Sequence, residues 1–134
     1  MKLVLCVDDR LGMMFNGRRQ TQDSILRDYL VKMALPAGLW MSPYTEKQFK
    51  NSKYPITVSN DLTATPDGCY CLIEDGEIPT NNIEEVLLVK WNRTYPADKY
   101  FNSEMLGELE LCHNEEIKGS SHDKITLEFY RRKK

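Results

Sequence analysis

The sequence predicts an α/β fold: a mixed, mainly parallel central sheet flanked by helices and completed by antiparallel C-terminal strands. Three observations carry this expectation. KLVLCV, residues 2–7, is a continuous apolar run with β-branched content, as in a strand covered on both faces. A helix pattern and a further short strand follow it, a βαβ rhythm that points to parallel pairing. Near the C-terminus, residues 106–113 and 124–131 alternate polar and apolar side chains with no helix between them, which reads as an antiparallel pair with one wet face.

The elements follow in order. KLVLCV is the expected central strand. Asp23 and Ser24 can cap a helix whose apolar positions Ile25, Leu26, Tyr29, Leu30 and Met33 recur at spacings of three and four and stop before Pro36 and Gly38. Residues 38–41 read as a short strand, 44–49 as a helical turn and 54–58 as another strand. A turn at Thr65-Pro66-Asp67-Gly68 precedes a strand at 69–73, which Glu74-Asp75-Gly76 ends. Residues 86–91 form a strong strand. No repeat, linker or low-complexity segment interrupts the 134 residues, so one domain spanning 1–134 is expected.

Composition narrows the function classes. Hydrophobic residues are 41% and charged residues 28% of the chain, values of a globular protein rather than a disordered one. The formal net charge of −2 supplies no global field for nucleic acid or an anionic membrane. No apolar run approaches the roughly 18 to 20 residues that cross a bilayer, and the N-terminus turns acidic too early for a signal peptide, so a cytoplasmic protein is expected. Cys6, Cys69, Cys71 and Cys112 lie on strand-like segments without paired CxxC spacing, which reads as reduced thiols serving as small core residues.

Taken in order, these elements resemble the dihydrofolate reductase fold family, in shortened form. The residues that carry the resemblance are the first strand with its acidic turn, Leu11-Gly12 opening a polar loop, Asp23 at the helix start, YPADKYF at 95–101 with Asp98 and Phe101 in matching places, and Gly119-Ser120-Ser121-His122 before a final strand. The resemblance implies that residues 11–23 are a flexible loop closing over a ligand, with Gly12 and Gly17 supplying backbone freedom. It further implies that Asp23 meets a pteridine-like heterocycle. As a helix-start aspartate, Asp23 reads first as a cap.

The departures concern the cofactor. The family's Gly-Arg-x-Thr turn is replaced by Met41-Ser42-Pro43-Tyr44-Thr45, where Pro43 removes a backbone donor. Its glycine-rich turn is replaced by Glu74-Asp75-Gly76, two carboxylates that would oppose a diphosphate. The chain also resembles short bacterial proteins carrying the label ribonuclease Z. That chemistry needs an HxHxDH run and further histidines, whereas His113 and His122 are the two present, so no metal is expected.

Several other polar groups read as structural or as ligand contacts. Asp8-Asp9 reads as a strand-end turn, and Ser120-Ser121-His122-Asp123 as a polar hairpin turn rather than a triad. Arg18-Arg19, with Arg10 and Arg27 nearby, is the basic cluster outside the tail, and its paired guanidinium groups suit a phosphate or carboxylate. Lys90-Trp91-Asn92-Arg93-Thr94-Tyr95 places aromatic and basic groups at a strand end, where stacking can hold a ring. The basic tail 131–134 reads as an aid to solubility. The expected function is binding of a nucleotide-like or heterocyclic small molecule by Arg18, Arg19, Asp23, Trp91 and Tyr95, with no catalytic residue assigned. Two alternatives stand beside it: a divergent NAD(P)H-dependent reductase, for which NADPH is the cofactor, and a protein–protein interaction or inhibitor module.

Overall fold

The computed structural model describes residues 1–132. β1 (Lys2–Val7) leads into a hairpin of β2 (Gly12–Phe15) and β3 (Arg18–Arg19), then α1 (Ser24–Met33) and β4 (Leu39–Met41). α2 (Pro43–Glu46), β5 (Ile56–Val58), a 3-10 turn at Leu62–Ala64 and β6 (Tyr70–Ile73) follow. The chain continues through β7 (Glu85–Lys90), β8 (Lys99–Tyr100), a second 3-10 turn at Ser103–Leu106, β9 (Leu109–Ile117) and β10 (Ile125–Arg132).

Seven strands form the main sheet in the order β5-β4-β6-β1-β7-β10-β9. The first five are mutually parallel, and β10 runs antiparallel to both β7 and β9. The expected fold class therefore stands, with β1 central between β6 and β7. Alternate residues of the strands feed two cores. Val4, Leu72, Leu87, Val89 and Leu127 meet Leu26, Leu30 and Val31 of α1 on one face. Leu3, Leu5, Val7, Ile73 and Leu88 meet Met13, Met14 and Phe101 on the other. That second face is covered by the small sheet β3-β2-β8 and by loops, because Met13, Met14 and Phe101 supply the apolar cover that a second long helix would otherwise provide.

Residues 11–23 differ most from expectation. Instead of a mobile loop they contain a two-residue hairpin in which Phe15 pairs Arg18 and Met14 pairs Arg19. Asn16 and Gly17 both have positive φ, 53° and 74°, the condition for a type I′ turn whose twist matches the flanking strands. β2 is pinned on its other side by β8. Gly12 serves close approach rather than freedom: a Cβ there would lie 2.6 Å from Ala97 Cβ.

Three smaller differences have local causes. Residues 103–106 coil into the 3-10 turn, so β9 begins at Leu109, and its position at the sheet edge leaves most of it exposed on both faces. Cys112 is consequently exposed rather than core, whereas Cys71 is buried and its thiol is pushed up to about 11 by desolvation. The tail lies partly outside the described residues, at 133 and 134; Arg131 is engaged with buried Glu85 through Nε and Oε1.

Candidate functional site

In an open parallel sheet, ligands gather outside the carboxyl ends of strands where the connections reverse direction. Here that place is the end of β1 between β6 and β7, followed in the chain by Asp8, Glu74 and Trp91 respectively. α1 starts beside them, and the turn before β10 closes the site from the other side.

Asp23 is the organising group. Its Oδ1 caps α1 by accepting from the Ile25 and Leu26 amides at 3.0 and 3.2 Å, and it accepts from the Ser120 amide at 3.0 Å. Oδ2 accepts from the Ser121 amide at 2.9 Å and the Ser121 hydroxyl at 3.1 Å. His122 Nδ1 lies 3.1 Å from the same Oδ2, with both side chains essentially inaccessible. A carboxylate only accepts, so Nδ1 carries a hydrogen, and Nε2 lies 3.2 Å from the Tyr95 hydroxyl and 3.4 Å from the Thr21 hydroxyl, both of which can bond it. Trp91 stacks on His122 with ring centroids 4.6 Å apart. Gly119 is required where it stands, because a Cβ would fall 2.2 Å from Asp23 Oδ2.

Asp8 gathers donors in the same way at the end of β1. Its carboxylate accepts from the Arg10, Gly12 and Tyr95 amides at 2.9, 2.8 and 3.0 Å and from Gln20 Nε2 at 3.1 Å. Burial pushes both carboxyl groups up, but the donors around them prevail. They include the Tyr95 and Gly12 amides at Asp8, and the Ser120 and Ser121 amides with His122 at Asp23, so both pKa values fall below the usual carboxylate range, Asp23 furthest. A depressed folded pKa means stability that is complete above the unfolded value and lost as pH falls. Unfolding free energy is therefore expected to drop steeply below about pH 4, where an unfolded aspartate begins to take up its proton. Urea denaturation at pH 7, 5, 4 and 3 checks this, and Asp8→Asn should flatten the acid limb.

The arrangement resembles an oriented acid–base chain, Tyr95 to His122 to Asp23. Its geometry leaves no access: His122 is 3% exposed, and Thr21, Tyr95 and Trp91 surround the ring. Asp23 likewise has each oxygen taken by several donors. The space between α1 and the strand ends is nearly filled, with voids of about 20 and 10 Å³. Each holds about one water at most.

The structure separates the paired arginines. Adjacent residues of a strand face opposite ways, so Arg18 is exposed while Arg19 turns inward and forms a bidentate pair with Glu74 at 2.9 and 3.1 Å. Tyr44 contributes its hydroxyl to the Arg19 amide at 2.8 Å and its ring beneath the guanidinium at 4.5 Å. Gln48 Nε2 adds a 3.0 Å bond to Glu74, and Ser42 Oγ donates to Asp75 at 2.6 Å. Arg18, Arg19 and Tyr95 also line an outer groove of about 410 Å³ with Phe15, Asn16, Gln20 and Pro96. Of the five sequence-nominated residues, Asp23, Trp91 and Tyr95 thus meet around His122, Tyr95 also lines the outer groove with Arg18 and Arg19, and the Arg19 guanidinium is held by Glu74.

His122 reads from sequence as a turn residue because its partner Asp23 lies 99 positions away. Lys47, Lys50 and Lys53 also escape a sequence reading. Their three-residue spacing is visible, but only folding sets them opposite Arg27 and Lys32 across a second groove of about 500 Å³. Among the described residues no cluster of His, Cys, Asp and Glu is arranged to hold a metal ion, and no helix is long and apolar enough to cross a membrane.

No protein-family model matches the sequence, and no curated protein matches it significantly. Among solved structures, the chain is similar to dihydrofolate reductase from Enterococcus faecalis complexed with NADP(H) and RAB-propyl, with a TM-score of 0.67 and 11% identity over 99% of this chain and 96% of that one. At that identity the likeness concerns architecture alone: this protein has a dihydrofolate reductase-like α/β fold, a scaffold that in the compared structure carries small ligands.

Proposed function

We propose that this chain is a single-domain cytoplasmic binding protein for a nucleotide-like or heterocyclic small molecule, and that it does not perform conventional NADPH-dependent reduction. The observation that carries the reading is the outer groove of about 410 Å³, within the roughly 300 to 1,000 Å³ of small-molecule sites. Phe15, 48% exposed, and the half-buried Tyr95 offer ring faces. Arg18 adds an exposed cation for an anionic substituent. Gln20 Nε2 donates to Asp8 and to the Pro96 carbonyl, which fixes the amide orientation. Its Oε1 is then a buried acceptor with no partner among the described residues, suited to an N–H of a heterocycle.

The resemblance of the sequence to reductases implies a dinucleotide diphosphate beside Pro43 and Glu74, and the residues there do not fit it. Pro43 lacks an N–H, Ser42 Oγ is committed to Asp75, and Arg19 is neutralised by Glu74. Differential scanning fluorimetry against nucleotides, dinucleotides and folates tests the reading, since a ligand selective for the folded state raises the melting temperature. At least one nucleotide or heterocycle should raise it, Arg18→Ala should weaken that ligand about tenfold through loss of a charge-assisted contact, and NADPH should not bind at micromolar concentration. Micromolar NADPH binding restores the reductase. A flat panel with a stoichiometric protein partner, lost in Arg18→Ala, favours the interaction module.

A further inference from the structure

We propose that the cavity at the amino ends of β1 and β7 binds a free α-amino acid with an apolar side chain. It has a volume of about 370 Å³, at the low end of the roughly 300 to 1,000 Å³ of small-molecule sites, and shares no lining residue with the groove at Arg18 and Tyr95. Leu3 and Val86, opposite each other in the β1–β7 ladder, line it with Phe101, and all three are buried. Half-buried Ile83, Leu106 and Leu109 complete the apolar lining. The space exists because the connection from β6 to β7, residues 74–84, holds no helix to fill the second core there. Its walls are nonetheless anchored: the Glu84 amide donates to the Met1 carbonyl at 2.9 Å, and the Gly107 amide to the Glu104 carbonyl at 3.1 Å.

Two charges of opposite sign, Arg132 and Glu108, complete the lining and decide the ligand class. Arg132 lies opposite Leu109 in the β10–β9 ladder and Glu108 precedes Leu109, so both border one stretch of the cavity. Among the described residues neither lies within 4.0 Å of an oppositely charged group, each other included. A carboxylate on an apolar body would meet Arg132 but be opposed by Glu108, and an amine would meet Glu108 but be opposed by Arg132. An α-amino acid carries both signs on one carbon. Its carboxylate suits the forked guanidinium, its ammonium suits Glu108, and its side chain leaves water for the apolar lining. A peptide separates its two terminal charges along the chain, which favours the free amino acid at this paired rim.

Isothermal titration calorimetry of the full chain with L-phenylalanine and with L-leucine tests the site. Expected is one-site binding of at least one of them, weakened about tenfold by Arg132→Gln and by Glu108→Gln, the effect of one charge-assisted contact each. Arg18→Ala should leave the affinity unchanged. Hydrocinnamate and phenethylamine, which keep one charge each, and glycine, which keeps both but lacks the side chain, should bind about tenfold more weakly or less. Arg132 and Glu108 are exposed, so both variants should keep the parent melting temperature, which is measured alongside. Undetectable binding of both amino acids at millimolar concentration, unchanged affinity in either charge variant, or a single-charge analogue or glycine binding as tightly as the amino acid overturns the proposal. Loss of binding in Arg18→Ala also overturns it, by moving the amino acid to the other groove.

Discussion

Replacing Asp23 with alanine is expected to remove about 3 to 5 kcal/mol of stability, because several part-buried donors lose their acceptor at about 1 to 3 kcal/mol each. The size follows from convergence. One carboxylate caps α1, holds the Ser120 and Ser121 amides of the turn before β10, and fixes the buried His122 ring. Without it, four backbone donors lose this acceptor and the His122 Nδ1–H keeps only the Ser121 hydroxyl oxygen at 3.0 Å, in a region with no space for more than single waters. The melting temperature should fall by roughly 10 to 20 °C for a domain of this size. Asp23→Asn should fall between the two, since its oxygen can still serve the α1 and Ser120 amides while its NH₂ meets the Ser121 donors. Chemical denaturation at pH 7 measures all three proteins. Equal stability of Asp23→Ala and the parent would mean that this network contributes nothing to the fold.

Gly119→Ala is expected to cost about 2 to 4 kcal/mol although the new group is a single methyl. The cause is position: the Cβ would sit 2.2 Å from Asp23 Oδ2, 2.8 Å from Cγ and 2.9 Å from Oδ1, so the carboxylate must leave its donors or the turn must open. The glycine has no positive φ, which separates this steric requirement from backbone strain. In an Asp23→Ala background the same substitution should cost much less, with a coupling of at least about 1 kcal/mol in the double-mutant cycle. Additive costs would place the damage elsewhere than at the carboxylate.

What the sequence determined was what local chemistry dictates. The apolar run 2–7 reads as a doubly covered strand and is the central β1; the three-and-four spacing of Leu26, Leu30 and their neighbours reads as α1; and the alternation in ITLEFYRR reads as β10 with Ile125, Leu127 and Phe129 inward. Asp23 reads as a cap and caps α1. Asn16-Gly17 also carried its signal locally, because both residues tolerate the positive φ of a type I′ turn. The polarity around them obscured it.

Tertiary structure alone decided the rest, because side chains distant in sequence take roles set by what the fold brings beside them. Arg19 becomes half of an ion pair through Glu74, 55 residues on, while its neighbour Arg18 is left to solvent by the two-residue period of a strand. His122 becomes a buried ring through Asp23 and Trp91, and three lysines become one bank of a groove through the helix opposite them. Local propensity is a property of a few consecutive residues, whereas burial, pairing and charge focusing are properties of the assembled surface.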